Sequence, residues 1–384
     1  MATMWSDPVV IIGASLAGAA TAATLARMGV RAIVIDKGRF PRRKPCGEGL
    51  SARGRAELDD IGFSLATTGC SHLSLDGYSI HRADRTLHIP SHSGLIAVER
   101  YQLDWKLLQY ALGLGHVELI QGEVPQVSRD SCGVFTVRLK GRTISTRLLV
   151  AADGAQSSTV RALSEGSAVY RTDRLGSSSQ WQIIKGSLAP RVHLFLMQGG
   201  EIYLTPLPHS RVNISVLGGV ALVQPFAHLR RLASQVELLS RYLKLSLEPT
   251  EVPLSSGAIG SLHRGAQCRG AFVVGDACET FDPCAGFGMT HALISGKLAG
   301  KHILKALSAS NISNELHEYE RNRYDQTRDL RGFTKLTSMT FATKMGRVAL
   351  PFLVSSGVAG TVSSAIHSHA SYSRRCRAIS WLGH

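Results

Sequence analysis

The sequence predicts an α/β protein in which one parallel-sheet unit is interrupted by strand-rich insertions and followed by a helical C-terminal segment. Three observations predict it. The apolar run VVII (9–12) passes through a glycine turn into a helix of small residues (15–28), and Gly29 separates that helix from a second apolar run, RAIVI (31–35). This is the strand–helix–strand opening of a parallel sheet. Two later apolar runs, LLVAADG (148–154) and AFVVGDA (271–277), also end on Asp and Gly, as strands reaching the carboxyl edge of such a sheet do. Stretches 72–90, 117–154 and 167–219 alternate apolar and polar residues between turn signals and read as strands. A lone sandwich or helical bundle would not give this succession.

The remaining elements follow in order. GRFPRRKPCGEG (38–49) is a loop rich in glycine, proline and cations. Ser51–Ile61 and the amphipathic stretch 99–115 read as helices, as do 224–247 and 286–307, and the rest of the chain reads as helical and basic. The resulting limits are a discontinuous nucleotide-binding domain (1–70, 96–163 and 255–330), a β-rich substrate domain (71–95 and 164–254) and a basic helical segment (331–384).

Composition excludes several classes. The 384 residues are 44% hydrophobic and 18% charged, enough for a large core without staples. The seven cysteines include no C-x-x-C pair, so no metal is expected and reduced thiols in a cytoplasm are the simplest reading. The apolar start has no charged leader in front of it and runs straight into a glycine turn, unlike a secretory signal. The formal charge of +15 is concentrated late: Leu330 to His384 holds seven Lys/Arg and no acid. That tail includes a 19-residue uncharged stretch (348–366) broken by Pro351, Gly357 and Gly360. It reads as a helix on a membrane surface or in the core rather than as a span. No aromatic–basic motif supports nucleic-acid binding.

Chemistry concentrates in three stretches. In the first, Gly13 permits the tight turn out of the strand, Ser15 leaves room for a pyrophosphate, and Gly18 lets helix and strand pack closely. Asp36 ends the second strand, 23 residues after Gly13, where an acid would hold ribose hydroxyls. Alone, this Rossmann fingerprint does not distinguish FAD from NAD. In the second stretch, Asp153-Gly154 ends a strand and reads either as a ligand contact or as ordinary turn chemistry. In the third, Asp276 after Gly275 would accept a ribose or ribityl hydroxyl. Pro283, Gly286 and Gly288 precede a long helix whose free N–H groups would meet a flavin's pyrimidine edge.

In this order and spacing the three stretches resemble the flavoprotein monooxygenase superfamily, with its para-hydroxybenzoate hydroxylase-like fold, over about residues 8–330. The resemblance implies a Rossmann-type FAD-binding domain, FAD as cofactor, and Arg100 as a flavin-contacting arginine. PRRKPCGEGL (41–50) and EIYLTPLPHSRVNISVL (201–217) resemble the geranylgeranyl reductase-like branch, which includes halogenase relatives. Its loop runs near the flavin, which implies Arg42 and Cys46 beside FAD. Cys46 reads first as a buried structural thiol and second as a catalytic group, and His291 either as a packing residue or as an acid/base facing the flavin. Gly286-Phe287-Gly288-Met289 resembles the hydroxylase form of the late motif, Cys278-Glu279 replaces the usual residues after Gly-Asp-Ala, and the tryptophan motif of flavin halogenases is absent. The first functional expectation is an NAD(P)H-dependent monooxygenase that hydroxylates or epoxidises an organic, secondary-metabolite or lipid-like substrate, free or carrier-tethered, through a C4a-peroxyflavin. The alternative is a flavin-dependent reductase of an isoprenoid alkene, with Cys46 or His291 as proton donor and the basic tail at a membrane. A halogenase or a non-catalytic flavin scaffold ranks below both.

Overall fold

A computed structural model describes residues 7–342 except 82–85, 92–93, 165–173, 198, 227–238, 240–242, 257–258, 260–261, 264–266, 269 and 309–310. Its helices are α1 (Leu16–Arg27), α2 (Ala52–Ile61), α3 (Arg100–Gly113), α4 (Ser158–Leu163), α5 (Val220–Phe226), α6 (Gly288–Ala306), α7 (Ile312–Gln326) and α8 (Arg328–Ala342). The uncharged stretch 348–366 lies outside the described residues, as does most of the helix expected over 224–247. The described end of that region differs from the expectation, because Ser246–Pro249 is an edge strand.

The central sheet has the strand order Gln267–Cys268, Ala271–Val273, Leu149–Ala151, Val9–Ile12, Ala32–Asp36, Val117–Gln121. All neighbours are parallel except the first pair. Both faces are covered at its centre, where Val9–Ile12 and Ala32–Asp36 are fully buried, while the edge strand Val117–Gln121 is partly exposed. The carboxyl ends of Val9–Ile12, Ala32–Asp36, Leu149–Ala151 and Ala271–Val273 carry all three motifs, which places them along one sheet edge.

Helix α1 is buried from Leu16 to Ala26. Its alanines and glycines allow the close approach that its neighbours require. A Cβ on Gly18 would lie 1.8 Å from the Gly13 carbonyl oxygen, and one on Gly296 of α6 would lie 2.3 Å from that of Ala17. Thr21 Oγ1 donates to the Gly296 carbonyl at 3.1 Å and ties the two helices together. Helix α2 is fixed to the other side of α6 by ions: Lys297 Nζ lies 2.8 Å from Asp60 Oδ2 and also pairs with Glu57.

The second large sheet has eight strands: Ser246–Pro249, Leu175–Lys185, Arg211–Gly218, Gly200–Leu207, Val192–Met197, Gly77–His81 and Thr86–Pro90, with Leu254–Ser256 added against Leu175–Lys185. Trp181, Ile202, Leu204, Val212, Ile214 and Val216 form an apolar core on its outer face. By the two-residue alternation of strands, Ser178, Gln180, Thr205, Asn213 and Ser215 point to the opposite face, towards the nucleotide-binding unit. A small sheet of Gly49–Leu50, Ile96–Val98 and His72–Ser74 joins the two units. It pairs His72–Ser74, which the sequence limits assign to the β-rich domain, with a strand of the other. The limit at 330/331 falls inside α8, and that at 254/255 inside the strand Leu254–Ser256.

Glu57 and Lys297 are each 1% exposed as side chains. Removing the cation therefore leaves a buried carboxylate without its counter-charge. Lys297→Ala is expected to lower stability by about 3–5 kcal/mol, read as a shift of the urea midpoint. An unchanged midpoint would show that the triad does not hold α2 to α6.

Candidate functional site: a dinucleotide cleft closed by the 41–48 loop

The first motif has the geometry of a phosphate turn. Gly13 has φ +106°, and a Cβ there would lie 2.4 Å from the Ala152 carbonyl oxygen. No side chain caps the N-terminus of α1, where Ser15 stands as N-cap, so the N–H groups of the first turn keep their positive end for a phosphate. Ser15 Oγ accepts a 3.0 Å hydrogen bond from Arg42 Nη2. Asp36 is buried and holds the turn in shape: its Oδ2 accepts from Ala14 N and its Oδ1 from Gly38 N, both at 2.8 Å. Arg42 lies 3.3 Å from Asp36 Oδ2. Ser15, Asp36 and Arg42 thus meet at one end of the cleft.

Arg100, Cys46, Lys44 and Asp276 meet at the other end. Arg100 begins α3 and is held bidentately by Asp104, at 2.8 and 3.0 Å. Its Nη1 lies 4.0 Å from Cys46 Sγ. Asp276 follows Gly275 in a short turn (Gly275–Ala277) after the strand Ala271–Val273. Its surface is open although protein surrounds it, as expected of a side chain lining an interior cleft. Burial pushes its carboxyl pKa up, while Lys44 and Arg100 pull it down. Burial pushes the Lys44 amine down, with Arg100 adding to the shift.

Across the cleft, Pro283 opens a short turn capped by Asp282, whose Oδ1 accepts from Cys284 N at 3.0 Å. Arg174 bridges Asp282 and Glu201 at 2.9 and 2.5 Å, pinning this turn to the eight-stranded sheet. Gly286, at φ +71°, ends the turn, and α6 begins at Gly288 with no side-chain cap. Gly286 and Gly288 are exposed between buried neighbours, and a Cβ on either would meet no protein atom. The residues present therefore fit FAD: a crowded glycine turn for the pyrophosphate, an acid for ribityl hydroxyls, and open backbone N–H groups at a helix start for the flavin edge.

Two sequence-derived candidates stand elsewhere. The Asp153 carboxylate accepts from Ser158 Oγ, Thr159 N and Thr159 Oγ1 at 3.0–3.2 Å, and also from Ser157 Oγ. It is engaged in shaping the start of α4, which is the turn reading. The backbone of Asp153 still backs Gly13, and Gly154 supplies a φ of +85° to the turn. His291 is 1% exposed, packed edge-on against Phe281 and 3.9 Å from Glu279. It faces the interior rather than the cleft, so the acid/base role does not fit its position.

The sequence reading missed what holds the 41–48 loop. Cys46 N donates to Ser178 Oγ at 3.2 Å. The Cys46 carbonyl accepts from Asn213 Nδ2 and Ser215 Oγ at 2.9 and 3.1 Å, and that of Gly47 from Thr205 Oγ1 at 2.9 Å. Gln180 Nε2 donates to both oxygens of Glu48, at 3.0 and 3.2 Å. The signal was present as the polar run 177–180 and the polar residues flanking Ile214 at 213 and 215. Glu48 itself is buried at φ +59°, an unusual backbone for a non-glycine residue. Burial raises its pKa to about 8, partly offset by Gln180 and increased by Glu99 and Glu251. Burial likewise pushes the Cys46 thiol up, against the pull of Arg100.

Comparison with known proteins agrees with this geometry. Residues 7–184 match the family described as FAD binding domain. The chain is 31% identical to a menaquinone reductase of Mycolicibacterium smegmatis over 76% of its length and 75% of the relative's. It is 24% identical to a digeranylgeranylglycerophospholipid reductase of Methanopyrus kandleri, over 83% and 86%. Among solved structures, a geranylgeranyl bacteriochlorophyll reductase-like protein of Thermoplasma acidophilum superposes with TM-score 0.76 at 19% identity, covering 94% of each chain. PqsL of P. aeruginosa, in complex with 2-aminobenzoylacetate, gives 0.76 at 19%, covering 88% of this chain and 98% of that one. Fold and cleft define an FAD-dependent oxidoreductase. The chain belongs to the family of FAD-binding oxidoreductases that includes this menaquinone reductase.

Two expectations follow. Gly288→Leu and Asp276→Ala keep the far-ultraviolet circular dichroism of the parent and lose FAD on gel filtration, because each changes the cleft and no packed core. Parental flavin-to-protein ratios in both would overturn the cofactor placement. The second concerns pH. Glu48 has a raised folded-state pKa, so its contribution is fully present below the ordinary carboxyl pKa of 4.5 and is lost as pH rises through about 8. The stability of the parent relative to Glu48→Gln should therefore fall across that window in urea titrations. A constant difference would show that Glu48 is ionised throughout.

Proposed function

We propose that the protein is a flavin-dependent reductase of a carbon–carbon double bond in the prenyl chain of an amphiphilic lipid. The observation that carries this reading is the 31% identity, over three quarters of both chains, to a menaquinone reductase. Menaquinone and digeranylgeranylglycerophospholipid, named in the two sets of relatives, differ in their head groups. What they share chemically is a polyprenyl chain with trisubstituted alkenes, so the alkene is the reducible group common to both.

The chain's own residues suit that substrate. The face of the eight-stranded sheet turned to the cleft changes character along its width. Beside the polar row lie Leu87, Ile89, Leu194, Leu196 and Tyr203, which pack against the main core. This strip makes that part of the face apolar, in keeping with a prenyl substrate. Bound FAD, once reduced by NADPH or NADH, would supply a hydride to one alkene carbon. Cys46 then delivers a proton to the other carbon. Its raised pKa keeps the thiol protonated at neutral pH, and Arg100 Nη1, 4.0 Å away, faces the thiolate left behind. The basic tail suits peripheral contact with an anionic membrane holding the lipid. No helix among the described residues is long and apolar enough to cross one.

The monooxygenase expected from sequence stays as a second reading, favoured by the hydroxylase-like run Gly286-Phe287-Gly288-Met289. The two readings differ in product. Holoenzyme reduced anaerobically with dithionite and mixed with geranylgeranyl diphosphate, which has no quinone for dithionite to reduce, is expected to yield products heavier by two hydrogens per alkene. Cys46→Ala should lower that turnover about a hundredfold with FAD content unchanged. Oxygen-dependent products heavier by one oxygen would replace the reductase with the monooxygenase.

A further inference from the structure

Behind the 41–48 loop, on the side of the eight-stranded sheet, lies a polar cavity of about 200 Å³. We infer that this cavity is the proton-supply site of the enzyme, with Glu48 as the acid that reloads Cys46 after each proton it gives up. The inference rests on the alkene-reductase reading and deepens it.

Three observations support it. The first is position: Glu48 is two residues from Cys46, its own backbone N–H donates to Cys46 Sγ at 3.2 Å, and Glu48 and its carboxyl's partner Gln180 both line the cavity. The second is access. Tyr101, 42% exposed, borders the cavity, as does the Arg43–Glu251 pair, whose side chains are 28% and 32% exposed. Solvent protons can therefore reach Glu48 from the side of Tyr101 and the Arg43–Glu251 pair.

The third is the charge balance around Glu48. Glu99, at the N-cap of α3, and Glu251, after the edge strand Ser246–Pro249, disfavour a third carboxylate. Each already has a cation, Glu99 from Arg211 and Glu251 from Arg43. Lys44 also borders the cavity, with its amine pKa lowered by burial and by Arg100 and raised by Asp104 and Asp276. Gln180 donates to the Glu48 oxygens and holds the carboxyl in place. The site is thus built to keep one exchangeable proton near neutrality.

The cycle balances. The alkene gains a hydride and the Cys46 proton, leaving a thiolate. Glu48 returns a proton to sulfur and becomes a carboxylate, and water in the cavity reprotonates it. Proton transfer from Glu48 to sulfur runs downhill, since the thiol pKa lies above the ordinary thiol value of 9.0 and that of Glu48 is about 8.

The test uses FAD-loaded enzyme and two readouts. In the first, iodoacetamide alkylation of Cys46 is followed by mass spectrometry of its peptide from neutral to alkaline pH. Loss of the Glu48 charge lowers the thiol pKa, so Glu48→Gln should alkylate roughly three- to tenfold faster on the alkaline side. Superimposable profiles would overturn the coupling whatever the reaction. In the second, dithionite-driven reduction of geranylgeranyl diphosphate is measured against pH. Glu48→Gln should lose at least about tenfold in kcat with FAD content unchanged and lose the titration near 8, while Glu48→Asp restores both in part. An unchanged kcat–pH profile would overturn proton supply even if alkylation shifts. Parent enzyme that reduces no prenyl alkene would sink the reductase reading itself, and the alkylation profile would still show whether Glu48 and Cys46 are coupled.

Discussion

The close approach of α1 to both its neighbours is the constraint on which the rest of the cleft depends. FAD is long, and its two ends are served by motifs more than two hundred residues apart in sequence. Gly13 and Gly18 belong to one of them, and Gly286 and Gly288 to the other. They can flank one ligand only if the helices that follow them, α1 and α6, run side by side almost in backbone contact. A Cβ on Gly296 would lie 2.3 Å from the Ala17 oxygen, and one on Gly300 2.7 Å from Thr24. Small residues on both helices are therefore a condition of the site's geometry and not only of core packing. The Thr21 hydroxyl, shared between its own helix and the Gly296 carbonyl, keeps the contact polar-satisfied at that distance.

The second constraint is a loop stretched between units. The 41–48 segment leaves the nucleotide-binding unit at Arg42, which still touches Ser15, and ends on the eight-stranded sheet. Its backbone would be costly to bury unless every polar group found a partner. Ser178, Thr205, Asn213 and Ser215 answer the carbonyls and N–H groups of Cys46 and Gly47, and Gln180 answers the Glu48 carboxyl. Polar residues in a buried sheet face, odd by composition, are thereby explained by the loop they hold. They also fix where the Cys46 thiol stands relative to Arg100.

Much of this was legible in the sequence, for a physical reason. Glycines that must have positive φ or no Cβ, and an acid at a strand end, are local necessities that leave a local pattern. Gly13, Gly18, Asp36, Gly275 and Gly286 could be read in that way. Asp153 misleads because the same Asp-Gly turn serves two uses. The hydroxyls four to six residues later, Ser157, Ser158 and Thr159, were the sign that its carboxylate would be consumed by α4. His291 depended on the phase of α6. One turn beyond Gly288 it already faces Phe281 and Glu279 in the interior. Glu48 was illegible because its environment is assembled from Glu99, Gln180 and Glu251, distant in sequence and brought together only by the packing of loop on sheet.

The two chemistries supported by this fold place unequal demands on the protein. Oxygen transfer from a flavin needs a dry, shaped pocket in which the protein positions the substrate and excludes water. Alkene reduction needs a proton at the second carbon as well, from a group that is neutral at working pH and renewable from solvent. Keeping such groups inside a protein is unfavourable: burial penalises their charged forms, and an isolated buried carboxyl contributes nothing to a core. A half-buried thiol facing a cation, backed by a buried carboxyl at positive φ and a solvent-accessible polar cavity, is an arrangement suited to such a donor. That fit is what the proposed reductase reading draws on besides the likeness to a menaquinone reductase.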